Sequence, residues 1–397
     1  MEVVKQVLLQ YTDIVDNNNK WYKITLYDND KVMGEYGRVG QECATPKVYE
    51  GGIGKFNSIM RSKTRHGRKH QYKIVDTSGG EIKVTVAPED KTPSTSFIRT
   101  IYESSGKTIK SWYDGDINQL SARQIQSGEG TLRMIQRSLG SASAHRMNAM
   151  LSEYYTTIPH KLGRNIRDIA SEWDAEKVND EFDYLQDLMD AINTNVGHAD
   201  MTIGDMVKSL GITVATASDF ELGAMRKLIM GSMSGTHGVS LTVRNVFSVS
   251  NKNTAFRYND CPISKPVLLF HGSRTPNFVG LLSRGFLVKP SGVPTTGSMF
   301  GNGIYFADVS TKSTQYCTRD GRWPMYLIIA EVKTGRKYKA RDCMNVNQAP
   351  NGYDSVMGVA GETRSFGYNT LLHNEFIVYH PRQTDIRFVA EVTAYRR

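Results

Sequence analysis

The spacing of apolar residues changes twice along this 397-residue chain, and no other feature constrains its fold as much. Between Ser121 and Ile192, Met147, Met150, Leu151 and Tyr154 recur at i, i+3, i+4 and i+7, and Val178, Phe182, Leu185, Met189 and Ile192 follow a similar stripe, so this stretch is predicted to be a helical bundle. Pro159 ends one of its helices, and Ser171 or Asp174 stands where a cap of the next belongs. Upstream, Trp21, Lys23 and Thr25 alternate with Tyr22, Ile24 and Leu26 before Asp28-Asn29-Asp30 and a second strand-like piece, which is the pattern of a β-meander. After about residue 200 the chain returns to short β-like runs, VSLTVRNVFSV, PVLLFHG, GIYFA, MYLIIAEVK, NEFIVYH and IRFVAEV, separated by Gly-rich loops. The expected fold class is α+β and multidomain: a small β-rich domain, an all-α domain and a mainly antiparallel β domain.

The length suits two or three domains. APEDKTPSTS, Ala87 to Ser96, has the composition of a linker, so the expected divisions are 1–90, 97–195 and 200–397. In the first division Phe56, Ile59 and Met60 share one helical face, followed by a basic segment. The net charge of +9 is uneven: residues 36–75 hold nine Lys/Arg against two Glu, whereas residues 174–190 hold seven acids against Lys177. A basic N-terminal module points to a polyanion such as nucleic acid, or to a solvated surface. Cys43, Cys261, Cys317 and Cys343 show no C-x-x-C spacing, which argues against a disulfide framework or a zinc module. The N-terminus lacks a signal-peptide pattern and no run approaches 18 apolar residues, so the expectation is a soluble intracellular protein without membrane partners, nuclear if the source is eukaryotic.

Several motifs fail on inspection. GGIGKFNS at 51–58 would need Gly at 49 and Ser or Thr at 56 to form a phosphate loop, but Tyr49 and Phe56 stand there. No G-x-G-x-x-G opens a βαβ unit. His145, His160 and His237 lack ligand spacing and read as structural. Glu375 is more informative, because it places a carboxylate within the apolar run LLHNEFIVY, where it must be satisfied at a rim or face a polar pocket. Residues 268–318 add a strand ending in His271-Gly272, then Gly301 to Tyr305, then Ser313 and Tyr316. Tyrosine faces for stacking, glycine backbone for amide hydrogen bonds and a hydroxyl suit a flat neutral aromatic amide such as nicotinamide.

HGSRTxNFxGLLSxG, FGNGIYFADxxxKSxxYC and LLxNEFIVY, in that order, resemble the catalytic-domain signatures of the poly(ADP-ribose) polymerases. SARQIQSG and YYTTIPHKLG resemble the helical regulatory domain of the DNA-dependent members, and NKWYKITLYDNDKVMGEYGRVG resembles their WGR domain, with Tyr36 at the position of the eponymous Trp. The layout is similar to that of the short DNA-dependent polymerases.

The resemblance implies that NAD+ is a substrate, without a metal, and that ADP-ribose passes to acceptor proteins, the chain itself included, and to growing polymers. Glu375, His271 and Tyr305 would be the catalytic residues, with Glu375 stabilising the developing positive charge. His271 would also bind the adenosine-side ribose, Gly272 and Ser313 the carboxamide, and Tyr305 and Tyr316 the ring faces. Ser273, Asn277 and Gly280 would line the same pocket, and Asp190 would face the cofactor from the acidic helix. Leu287 stands where the DNA-dependent members resemble one another in having Arg beside the adenosine, and the 340–370 segment is shorter than in family members, which leaves polymer length open. Tyr36 and Arg38 would couple DNA to the helical domain, while Arg65, Arg68 and Lys69 supply phosphate affinity. The expected partner is DNA with breaks or ends, the chain being a monomer without it. A mono-ADP-ribosyltransferase and a DNA-binding scaffold with an inert transferase domain are the alternatives.

Overall fold

The computed structural model describes residues 1–67, 70–75, 92–115, 117, 120–198, 201–288, 299–317, 325–365 and 370–396. These fall into two compact units, one of residues 1–85 and 106–200, the other of residues 86–105 and 201–397.

The first unit opens with β1 (Val3–Asp13), β2 (Asn18–Tyr27), β3 (Val32–Arg38), β4 (Lys47–Tyr49), α1 (Gly52–Thr64) and β5 (Lys73–Val75). The strands form an antiparallel sheet in the order β4-β3-β2-β1-β5. Alternation buries Val7, Leu9, Tyr22, Ile24 and Leu26, and Phe56, Ile59 and Met60 of α1 pack against them. Asp30 turns the β2–β3 hairpin with φ 59°, a value that Asp tolerates better than most residues.

Helix α2 (Pro93–Trp112) is shared between the units, its residues up to Ser105 belonging to the second. Its start corrects the linker reading: Pro93 to Ser96 is helical because proline is preset for a first turn, and Thr92 Oγ1 accepts the Thr95 N–H at 3.2 Å. The first unit continues through α3 (Ala122–Ser138), α4 (Ala144–Thr157) and α5 (Ala175–Asn193), capped by Ser121, Ser143 and Asp174 respectively. Of the predicted stripes, Met147, Leu151, Tyr154, Val178 and Leu185 are buried, Met150, Phe182, Met189 and Ile192 are partly buried, and Leu132, Ile135 and Leu188 are buried besides. Polar bonds join these helices to the sheet: Thr156 Oγ1 accepts the Thr12 N–H at 3.0 Å and Ser152 Oγ accepts that of Ile14 at 3.1 Å.

The second unit contains α6 (Ile203–Leu210), β6 (Ile212–Thr216), α7 (Asp219–Gly231), β7 (Val239–Asn251), α8 (Lys252–Asn259), β8 (Val267–Gly272), α9 (Phe278–Arg284), β9 (Ile304–Phe306), α10 (Ser310–Thr314), β10 (Met325–Val332), β11 (Lys337–Ala340), β12 (Ser355–Gly358), β13 (Glu375–Val378) and β14 (Thr384–Arg396). One antiparallel sheet runs β6-β7-β14-β10-β8, and a smaller one β11-β12-β13-β9 with a single parallel pair, β11 with β12. Phe97 of α2 completes this unit's core, stacked on Phe247 at 4.8 Å and edge-on to Tyr326. The α+β multidomain expectation and the antiparallel character of the C-terminal half both hold.

Candidate active site

Among the described residues the two sheets of the second unit are joined by a bridge beside the site. Phe270 of β8 and Ala307, just beyond β9, exchange backbone hydrogen bonds of 2.8 and 3.0 Å. His271 therefore lies beside Tyr305, whose carbonyl accepts the His271 Nδ1–H at 2.9 Å. A carbonyl only accepts, so Nδ1 carries the proton. Burial lowers the imidazole pKa, opposed by that hydrogen bond, and the neutral ring is left with Nε2 as an acceptor for a ligand hydroxyl. Phe286 and Phe306 pack against the ring with centroids 4.9 and 5.6 Å away, fixing its orientation.

Tyr305 is fixed at both ends. It pairs with Ile377 of β13, and its hydroxyl donates to the Gly301 carbonyl at 2.8 Å while accepting the Phe300 N–H at 3.0 Å. The chain can pass there only as glycine: Gly301 has φ 73°, and a Cβ would lie 1.9 Å from the Val346 carbonyl oxygen.

Glu375 is the first residue of β13, one position before the Phe376–Phe306 pair. Lys312 of α10, which follows β9 closely, reaches across to it with Nζ 2.7 Å from Oε1, and both side chains are largely buried. The same ammonium donates to the Asn374 carbonyl at 3.4 Å. Asn374 is itself tied down, its Nδ2 donating to Asp308 at 2.7 Å and its Oδ1 accepting the Ala360 N–H at 3.0 Å.

Gly272 ends β8 against α10. A Cβ there would stand 1.7 Å from the Ser313 carbonyl oxygen, so this approach of two backbones excludes any side chain. Ser313 is buried, whereas Tyr316 keeps 62% of its surface exposed, leaving ring area open to a ligand. Its phenol pKa is raised, first by partial burial and then by the charge of Glu375. Asn277 Nδ2 donates to Ser273 Oγ at 3.0 Å, Gly280 is buried in α9, and Leu287 is exposed. Sequence reasoning quoted Lys312 within FGNGIYFADxxxKSxxYC but gave it no role.

In the first unit, Asp190 is buried on α5 and accepts the Gln186 Nε2–H at 3.0 Å. Glu181, the seventh residue of that helix, is fully buried with the ring of His160 2.9 Å and the ammonium of Lys177 3.0 Å away, while the Tyr154 hydroxyl donates to it at 2.8 Å. Burial alone would raise its pKa, but His160 and Lys177 outweigh that and hold it at about 2. Tyr36 stacks on Tyr22 at 5.8 Å with the Lys47 ammonium 5.6 Å over its ring. Arg38 donates from Nη2 to the Gly163 and Arg164 carbonyls at 3.3 and 2.8 Å and from Nη1 to the Asn17 carbonyl at 3.0 Å. Asn17 Oδ1 in turn accepts the Ile166 N–H at 3.0 Å. Arg65 is exposed just past α1, and Arg68 and Lys69 lie outside the described residues.

Among the described residues no cluster of three or more His, Cys, Asp or Glu could hold a metal ion, and no helix is long and apolar enough to cross a membrane.

Comparison with known proteins follows the same division. Residues 220–394 match the model of the poly(ADP-ribose) polymerase catalytic domain, residues 113–202 that of the poly(ADP-ribose) polymerase regulatory domain, and residues 5–71 that of the WGR domain. The chain belongs to the poly(ADP-ribose) polymerase family. It is similar to poly [ADP-ribose] polymerase 1 of Gallus gallus, 27% identical over 97% of this chain and 44% of that protein. Poly [ADP-ribose] polymerase of Drosophila melanogaster is 27% identical over 96% of this chain and 45% of its own length. Poly [ADP-ribose] polymerase 2-A of Oryza sativa subsp. japonica is 26% identical over 97% of this chain and 69% of its own length. The chain thus spans less than half the length of the animal relatives.

Proposed function

We propose that this chain is an NAD-dependent protein ADP-ribosyltransferase that builds polymers and responds to broken DNA. The observation that carries the reading is the convergence of three side chains from three strands: Glu375 at the head of β13, Tyr305 on the neighbouring β9, and His271 on β8 bonded to the Tyr305 carbonyl.

In this reading the bond between ribose C1 and the nicotinamide nitrogen breaks, its electron pair leaving with nicotinamide. An acceptor oxygen supplies the new bond and gives up its proton. The centre in between is oxocarbenium-like, as in glycoside cleavage, and the Glu375 carboxylate favours it over the ground state. The same carboxylate polarises the incoming hydroxyl of a protein or of a preceding ADP-ribose. His271 Nε2 accepts from the adenosine-side ribose, Gly272 and Ser313 hold the carboxamide, and Tyr305 and Tyr316 stack on the ring. Ser273, Asn277, Gly280 and Leu287 line the pocket. The grip of Arg38 on the Gly163 and Arg164 carbonyls supports a route by which DNA at Tyr36, Arg65, Arg68 and Lys69 biases the helical domain.

The test is incubation of the protein with labelled NAD, with and without nicked DNA, followed by a denaturing gel. A smear dependent on DNA is expected. A discrete band would make it a mono-transferase, and absence of label would leave a scaffold.

A further inference from the structure

Two histidines act on Lys312, the cation that holds Glu375, and have no part in the chemistry above. His237 ends a short 3-10 turn, Gly235–His237, and His373 lies two residues before Glu375. Their ring centroids are 4.6 Å apart with the planes inclined at 32°. His237 Nδ1 is 2.9 Å from Thr311 Oγ1, and His373 Nε2 is 2.7 Å from Thr236 Oγ1. Thr311 also accepts the Ser234 N–H at 3.0 Å, and the next residue in α10 is Lys312, whose ammonium holds Glu375. Three side-chain contacts, Glu375 with Lys312, Thr311 with His237 and Thr236 with His373, are joined into a ring by the chain itself between Lys312 and Thr311, His237 and Thr236, and His373 and Glu375.

The charged groups acting on the pair are Lys312 of α10, which also holds Glu375, and, for His373, Asp308 of the loop between β9 and α10. Both histidine pKa values are lowered. For His237 the causes are burial, then His373 and Lys312; for His373 they are burial and then Lys312, with Asp308 opposing. A proton on either ring would set a second cation beside Lys312 and beside the other imidazole, in a partly desolvated place where like charges repel strongly.

We propose that His237 and His373 are positioning residues for Glu375, acting through Thr311 and Lys312, and that efficient ADP-ribosyl transfer requires both rings to be neutral. The proposal rests on the transferase reading. It predicts that acidification loosens the support of the carboxylate without affecting the pocket that binds NAD.

Two measurements on the full chain test it. Nicotinamide release in the presence of fragmented DNA is followed from pH 5 to 8 for the wild type, the His237→Gln/His373→Gln double variant and Thr311→Val. In the wild type kcat is expected to fall about tenfold as pH drops through and below the ordinary histidine range, with KM for NAD little changed. The double variant should lose that acid limb and start from a lower kcat, and Thr311→Val, which leaves both imidazoles in place, should lower kcat alone. Independently of turnover, NMR titration of the histidine rings should show the His237 midpoint rising in His373→Gln and again in Lys312→Met. An unmoved His237 midpoint overturns the proposal even if the enzyme turns over, and so does an acid limb identical in wild type and double variant. A wild type that releases no nicotinamide at any pH overturns the transferase reading, and the positioning role with it.

Discussion

Lys312 Nζ lies 2.7 Å from Glu375 Oε1, so the carboxylate that opens β13 is held by a cation from the helix that follows its partner strand. Glu375→Gln keeps the shape and some hydrogen bonding but removes the charge. Polymer elongation should collapse by a factor on the order of a hundred or more, while NAD affinity changes little, because the lost interaction belongs mainly to the transition state. Undiminished chain growth would refute the assignment, and the denaturing gel reads it directly.

Tyr305→Ala should show the opposite pattern. Removing the ring takes away stacking surface and the bonds to Gly301 and Phe300, so affinity for NAD and for nicotinamide-like inhibitors should fall by roughly tenfold or more. Calorimetry with an inhibitor measures this, and unchanged affinity would count against the pocket.

Gly272→Ala tests the close approach of β8 to α10. Its methyl group would meet a backbone carbonyl, not a side chain able to rotate away, so a few kcal/mol of overpacking is expected. Melting temperature should drop and inhibitor binding should be lost together. A variant as stable as the wild type would show that the backbones part easily.

Arg38→Ala should leave DNA bound yet fail to raise the rate at saturating DNA, because the Gly163 and Arg164 carbonyls lose their donor. Neutralising Arg65, Arg68 and Lys69 should instead weaken DNA binding, flatten its salt dependence, and be overcome by more DNA. Normal activation of Arg38→Ala would rule out this route while leaving the chemistry at Glu375 untouched.

Acid stability should report on Glu181. Its folded pKa of about 2 lies below the ordinary value of 4.5, so its contribution is complete above about pH 4.5 and disappears as pH falls towards 2. That contribution is roughly 3 kcal/mol. Glu181→Gln should lower the melting temperature at neutral pH and flatten the loss of stability between those two values. An acid limb equal to that of the wild type would place the lability elsewhere.

Much of this molecule was legible because its signals are local. The stripes Met147 to Tyr154 and Val178 to Ile192 fixed two helices, Asp174 supplied the expected cap, and the β-like runs fell on strands. His271, Tyr305 and Glu375 were singled out through long motifs, although their mutual placement depends on the Phe270–Ala307 bridge, which no local pattern encodes. The surroundings of His237 were not legible. Lacking ligand spacing, it read as structural, yet a turn 138 positions before Glu375 carries it to His373. The first turn of α2 was misread for a related reason: proline with small polar residues marks a linker or a helix start, and only the downstream burial of Phe97 and Ile101 decides between them.

The larger catalytic-unit sheet has its last strand at its centre: β14 lies between β7 and β10, with partners on both sides. A ribosome delivering this chain would therefore release β7, β8 and β10 long before the strand that joins β7 to β10. Until Thr384 and its successors emerge, two apolar strand edges stand open to each other's wrong faces and to neighbouring chains. Nascent chains should thus depend on chaperones until β14 emerges, and premature stops upstream of β14 should yield insoluble products in place of a weakened enzyme.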